Sequence, residues 1–260
     1  MAAFKIISEK IRNYFSKESF EIRRLLKIPR YSKCNTWLLG GIKIADSVSF
    51  VAGYQEIFKR ENYKFSSDNS RPYIIDCGSN IGLSVIYFKK IYPDATVLCF
   101  EPDPDIFLTL KMNVEKQSFE QVILHNKALS NKQGVLNFAS EGGFSGRIVD
   151  NKTRVKSILV QVDILSSYID RKVDFLKIDI EGQELFVLEE IATKLHFVER
   201  MFIEYHSIIE EEQKLDNILI LIKKAGYRFH IKEASSAKHP FIETPNISGM
   251  DNQLEIYAWR

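Results

Sequence analysis

Apolar and polar positions follow two different periods along this chain. From Arg71 onward, short unbroken apolar runs take turns with longer stretches whose apolar residues recur three and four apart. The short runs predict strands at Tyr73–Cys77, Thr96–Phe100, Val122–His125, 173–178 and 201–205. The longer stretches predict helices over Leu83–Ile91, 104–116, 183–195 and 212–225. Continuously apolar strands alternating with helices indicate a mostly parallel sheet covered on both faces, a Rossmann-like α/β architecture. Two closing strands, 227–231 and 254–259, have only a loop-like segment between them. They predict an antiparallel edge pair. The rhythm also breaks between Ala128 and Asp163, where GVLNFAS and SILVQVD predict a β-hairpin insertion around the loop EGGFSGRIVDNKTRVK.

Ahead of this region, residues 4–27 place Phe4, Ile7, Ile11, Tyr14, Phe15, Ile22, Leu25 and Leu26 at helical intervals. One or two amphipathic helices ending before Pro29 follow from that spacing. WLLGGIKIADSVSFVAGYQEIF predicts a short hairpin, then a helix starting near Gly53. The expected division is an extension over residues 1–52 and a main domain over 53–260.

Bulk properties narrow the classes. A chain of 260 residues that is 45% hydrophobic suits one large α/β domain. Residues 1–33 carry nine Lys/Arg against three Glu, or +6, which leaves −4 for the rest of a chain whose net charge is +2. A mildly acidic body with a basic arm argues against a DNA partner. The arm suits packing on the main domain or on a partner subunit, as in a dimer, or contact with an anionic membrane surface. Cys34, Cys77 and Cys99 have no CxxC spacing, so free thiols in a reducing cytoplasm are expected. No apolar run approaches the roughly 20 residues of a membrane helix, and the N-terminus lacks the apolar core of a signal peptide.

The candidate chemistry lies at the strand ends, where open α/β sheets bind ligands. IIDCGSNIG ends the first strand in Asp76 and turns through Gly78, Ser79, Asn80 and Gly82. A dinucleotide loop needs three glycines in G-x-G-x-x-G against a pyrophosphate. Here an acid leads and one glycine is missing, which suits the cationic ligand S-adenosylmethionine better than NAD. FEPDP places Glu101 and Pro102 at the next strand end, where one carboxylate can hold a ribose diol. Asn126 and the backbone around Ala128 follow the third strand, in reach of an adenine edge. The fourth strand, VDFLKIDIEGQEL, holds Lys177 in an apolar run and ends in Asp179 and Glu181. FIEYH ends the fifth with Glu204 and His206. Each acid alone suits a helix cap or loop clamp. Their convergence marks a site.

IIDCGSNIGLSVIYF, CFEPDP, NKALS, FLKIDIEGQELFVL and EYH together resemble the FkbM family of S-adenosylmethionine-dependent methyltransferases. The resemblance covers residues 53–225, and KIDIEGQE is its most specific part. It implies a seven-stranded class I methyltransferase sheet with the last strand inserted antiparallel. It also implies O-methylation of a hydroxyl on a sugar, glycan or secondary metabolite. By carry-over, Asp76, Gly78, Asn80 and Gly82 line the methionine end of the cofactor and Glu101 the ribose. Asp179, Glu181 and His206 lie at the methyl-transfer end.

The acceptor hydroxyl needs positioning and a base. By intrinsic pKa, His206 is the natural base. Asp179 or Glu181 are the alternatives, or, with Glu204, ligands for a divalent cation. Ser145 and Arg147 in the insertion, with Glu204, are candidates to face the acceptor. Tyr54 and Glu56 are candidates to cover the cofactor. Competing readings are a nucleotide-linked oxidoreductase, a non-catalytic scaffold or glycan-binding module, and an RNA methyltransferase.

Overall fold

The computed structural model describes residues 16–140, 146–149, 157–235, 237–242 and 249–260. Residues 4–15 of the expected N-terminal helix and Ser145 lie outside the described residues. Helix α1 (Lys17–Leu25) is followed by the hairpin β1 (Cys34–Asn35) and β2 (Lys43–Ile44), then α2 (Ser47–Tyr54), which continues as a π-helical turn over Gln55–Lys59. The helix expected near Gly53 therefore begins earlier. Asp46 sets its start by accepting from the Ser49 amide at 2.9 Å, which satisfies one of the first-turn donors. The expected division between residues 52 and 53 falls inside this helical segment.

The main sheet has seven strands in the order β12-β13-β11-β10-β3-β4-β5. They are β3 (Tyr73–Cys77), β4 (Thr96–Phe100), β5 (Val122–His125), β10 (Phe175–Ile178), β11 (Arg200–Ile208), β12 (Arg228–Ser235) and β13 (Met250–Trp259). Neighbours from β11 through β5 are parallel, and β13 runs antiparallel between β11 and β12. The two closing strands form the expected antiparallel pair at the sheet edge, with the last strand inserted between β12 and β11. Helices α3 (Leu83–Ile91) and α4 (Pro104–Gln117) follow β3 and β4. Helices α5 (Glu184–Glu190) and α6 (Leu215–Lys224) follow β10 and β11.

Alternation along each strand divides the core in two. Ile74, Val97, Cys99, Phe175 and Phe202 face α2, α3 and α4, whereas Ile75, Leu98, Phe100, Leu176 and Ile203 face α5 and α6. Asp76 and Lys177 share the first face and sit directly opposite each other on β3 and β10. This register brings an acid and a base together inside the sheet. Asp174 starts β10 late, because its carboxylate accepts from Ser67 Oγ, Asn69 Nδ2 and the Tyr73 amide instead of continuing the apolar run. The helix expected over 183–195 stops at Glu190 and resumes as a 3-10 helix over Ala192–Phe197.

The insertion is larger than a hairpin. β6 (Ala128–Leu129), β7 (Gly134–Ser140), β8 (Gly146–Val149) and β9 (Ile158–Asp163) form a second sheet in the order β6-β9-β7-β8. Its inner face buries Phe138, Val160 and Val162. Among the described residues, no helix is long and apolar enough to cross a membrane.

Candidate active site

A cavity of about 340 Å³ opens at the C-terminal ends of β3, β4, β10 and β11. The second sheet covers one side, through Phe138, Ser140, Gly146 and Ile148. The other side is closed by Glu56 and Tyr63 before the main sheet and by Met250 and Gln253 on β13.

The glycine loop after β3 forms the floor. Gly78 has φ 87°, and a Cβ there would lie 1.9 Å from the Asp179 carbonyl oxygen. Only glycine lets the β3 and β10 loops approach so closely. The Gly78 and Ser79 amides donate to the Phe100 carbonyl at 3.0 and 2.9 Å, and Ser79 Oγ donates to the Asp76 carbonyl. Gly78, Ser79 and Asn80 line the cavity. Asp76 and Gly82 do not. Asp76 lies beneath the floor, where its Oδ2 accepts from Ser84 Oγ at 2.5 Å and its Oδ1 is 3.3 Å from Lys177 Nζ. Gly82 caps α3 at φ 94°, with Leu110 against the place a Cβ would take. The acid at this strand end holds the loop from below.

Lys177 is the hub of this floor. Its ammonium, 2% exposed, lies 3.1 Å from Asp179 Oδ2 and donates to the Gly78 carbonyl at 2.8 Å. Burial pushes the ammonium pKa down, but Asp179 and Asp76 outweigh it and hold the group above its ordinary value. The lysine therefore ties the two loops together as a cation.

Glu101 and Pro102 line the cavity at the end of β4. The Glu101 carboxylate accepts from the Asn80 amide at 3.0 Å and the Asp103 amide at 2.9 Å. Burial pushes its carboxyl up to about 8, with the two amides opposing. Asn126 is displaced from its expected place. Its Nδ2 donates to the Glu101 and Pro102 carbonyls, so it braces this loop from behind while Lys127 and Ala128 reach the wall.

At the β10 and β11 ends, Asp179, Glu181, Glu204 and His206 all line the cavity. His206 Nε2 lies 3.6 Å from Glu181 Oε2 and 3.9 Å from Asp179 Oδ1, and Nδ1 lies 3.0 Å from Glu184 Oε1. Burial alone would push the imidazole down. Glu181, Glu184 and Glu204 outweigh it and hold the group well above its ordinary value of 6.5. The ordinary imidazole pKa that suggested His206 as the base is thus shifted upward by its acidic neighbours. Glu204 accepts from Gln253 Nε2. Its carboxyl is pushed up by burial and then by Asp179. Glu56 is pushed up by burial and by Glu255.

Arg147 does not face this space. Gly146 and Ile148 line the cavity, so the residue between them on β8 lies on the opposite face. Tyr54 is also off the wall, stacked between Phe50 and Phe58. Sequence reasoning missed Glu184, Tyr63, Gln253 and the Lys127–Asp163 pair, in which Nζ and Oδ2 are 2.6 Å apart. Glu184 stood inside the IEGQE motif. Gln253 had no local signal, since only the inserted strand brings it to His206.

A mostly parallel seven-stranded sheet with one inserted antiparallel strand, and a cavity at its carboxyl ends, defines a class I methyltransferase fold. Residues 76–229 match the Methyltransferase FkbM domain family. The chain belongs to that family. Methyltransferase 1 of Beauveria bassiana (strain ARSEF 2860) is 31% identical over 166 residues, covering 54% of this chain and 66% of that protein. 2-O-methyltransferase NoeI of Sinorhizobium fredii (strain NBRC 101917 / NGR234) is 26% identical over 151 residues, covering 49% and 61%. Each match thus spans less than two thirds of the relative's length. The crystal structure of methyltransferase FkbM from Methylobacillus flagellatus KT shares the fold with a TM-score of 0.53 at 18% identity, over 78% of this chain and 48% of that one.

Proposed function

We propose that this protein binds S-adenosylmethionine in the cavity and transfers its methyl group to a hydroxyl of a sugar, glycan or secondary metabolite. The observation that carries the reading is the charge of the wall. Glu56, Glu101, Asp179, Glu181 and Glu204 face the cavity, while Lys177, Lys127 and His206 are already paired with acids. Such a wall suits a positively charged ligand, whose charge would oppose the burial that pushes Glu56, Glu101 and Glu204 up. The close approach of the β3 and β10 loops at Gly78, which a Cβ would block, sets the floor on which the methionine end of such a ligand would lie. Transfer to oxygen is supported by the name of one relative, a 2-O-methyltransferase.

When bound, S-adenosylmethionine supplies a methyl group on a sulfonium, open to in-line attack. The chain's own residues do the rest. Gly78, Ser79 and Asn80 hold the amino-acid end, with Asp76 and Lys177 fixing their loop from below. Glu101 takes the ribose diol, and Pro102 and Ala128 flank the adenosine. His206 sits against Asp179 and Glu181, and these carboxylates receive the acceptor's proton. Positioning supplies most of the rate, and proton removal adds about 10²–10⁴-fold. Saturating S-adenosylhomocysteine, at about 100 times its Kd, should stabilise the protein by about 2.7 kcal/mol. NAD should not. No stabilisation by S-adenosylhomocysteine would sink the reading.

A second reading of the same end has its own observation. Asp179, Glu181 and His206 each offer a ligand atom within 4.8 Å of the others, a donor set for one divalent cation that would polarise the acceptor oxygen. Full methyl transfer in the presence of excess EDTA would refute it.

A further inference from the structure

Glu184 is not on the wall of the main cavity, yet two of the groups that are depend on it. Its side chain is 2% exposed. Oε1 accepts from His206 Nδ1 at 3.0 Å and from the Gly182 amide at 3.0 Å, and Oε2 lies 3.1 Å from the same amide. The Ile180 amide lies 3.4 Å from Oε1. The turn gripped in this way is left-handed at two consecutive residues, Glu181 at φ 53° and Gly182 at φ 97°. A side chain other than glycine keeps such a conformation only where its surroundings hold it there.

An acid in the first turn of a helix is ordinary, since the helix dipole favours it. Such an acid normally faces water and bonds its own helix amides. Glu184 instead points inward, to the turn that precedes its helix and to an imidazole on β11. The imidazole's other side is not packed in apolar residues. Nε2 has Glu181 Oε2 at 3.6 Å, Gln253 Nε2 at 3.3 Å and Asp179 Oδ1 at 3.9 Å around it, on the cavity side.

We propose that Glu184 is a positioning residue for the methyl-transfer end. One buried carboxylate keeps the proton on His206 Nδ1, so that Nε2 is the atom presented to the cavity, and the same carboxylate sets the Glu181–Gly182 turn that carries Glu181 to Nε2. A carboxylate behind a working imidazole fixes both its tautomer and its ring plane. This inference rests on the reading of Asp179, Glu181 and His206 given above. It explains why the motif continues past its first two acids: Asp179 and Glu181 face the cavity, and Glu184 holds the turn between them and His206.

The test uses the full chain labelled with 15N, with the His206 imidazole signals assigned by their disappearance in His206→Gln. The wild type should show a slowly exchanging proton on Nδ1. Glu184→Ala should lose that signal. Glu184→Gln, which keeps an oxygen acceptor, should shift it without losing it. Both variants should keep the melting-temperature rise with S-adenosylhomocysteine, because Glu184 does not line that cavity. A wild-type His206 spectrum in Glu184→Ala overturns the proposal; if that variant does not fold, an unmoved signal in Glu184→Gln does so. Loss of S-adenosylhomocysteine binding in Glu184→Gln also overturns it, since it would mark general damage to the fold. A wild type that shows the Nδ1 proton but does not bind S-adenosylhomocysteine would sink the proposed function instead. The His206 spectra would still decide the part played by Glu184.

Discussion

Replacing Lys177 by methionine tests the floor of the site most directly. Methionine matches the lysine stem in length but removes its charge. Asp76 and Asp179 would then face each other across neighbouring strand ends with nothing between them. The lysine nitrogen sits 3.3 Å from one carboxylate oxygen and 3.1 Å from the other. At an effective dielectric of about 20, each contact is worth roughly 5 kcal/mol before desolvation. Desolvation cancels much of that in the wild type, but removing one partner of a buried pair still costs about 3–5 kcal/mol. For a chain of this size, that corresponds to a fall in Tm of roughly 6–20 °C. Adding Asp76→Asn removes one of the stranded charges, so the double variant should recover about 0.5–3 kcal/mol relative to additivity. Urea unfolding of the four proteins measures both quantities. A Lys177→Met protein within 2 °C of wild type, on the order of 0.5–1 kcal/mol, would show that the triad does not hold the loops.

Three further predictions follow from neighbouring contacts. Gly78→Ala forces a Cβ against the Asp179 carbonyl at a left-handed φ. The backbone term alone costs about 1–2 kcal/mol, and calorimetry should find S-adenosylhomocysteine binding lost in a protein that still unfolds cooperatively. Ser84→Ala strips the hydroxyl donor from buried Asp76 Oδ2. It should cost about 1–3 kcal/mol in chemical denaturation, and a neutral result would refute the assignment of that contact. Glu101 has its carboxyl pushed from 4.5 to about 8. Between those values the folded chain keeps a proton that the unfolded chain has released. Stability should therefore fall as pH rises through that window, by up to about 1.4 kcal/mol per pH unit. Glu101→Gln should remove that slope from Tm measured against pH, and an unchanged slope would refute the shift.

The sheet strands were legible because nothing competes with their pattern. β3, β4 and β5 begin and end where their apolar runs do, and the acids closing β3 and β4 showed where a ligand site would open. What was hidden depends on distant parts of the chain. Asp76 read as a group facing a ligand, yet its register opposite Lys177 turns it into a support beneath the floor. Asn126 and Arg147 were misplaced for a related reason. A polar side chain at a strand end or on a covering strand can point either way, and only the register and the alternation of the folded sheet decide. The surroundings of His206 were hidden for the same reason, since Asp179, Glu181 and Glu184 come from the end of β10 and the turn and helix after it.

The threading of β13 between β11 and β12 has a consequence for how the molecule is made. Among the described residues, β12 bonds only to β13 in this sheet. On the ribosome, β12 therefore emerges first and waits as an unpaired edge, exposed to other nascent chains, until the later strand arrives. Gln253 and Met250 travel on that strand. A chain still lacking this strand therefore has the glycine loop, Glu56 and Tyr63 but not Met250 and Gln253, so this side of the pocket is completed only when the strand is threaded into place.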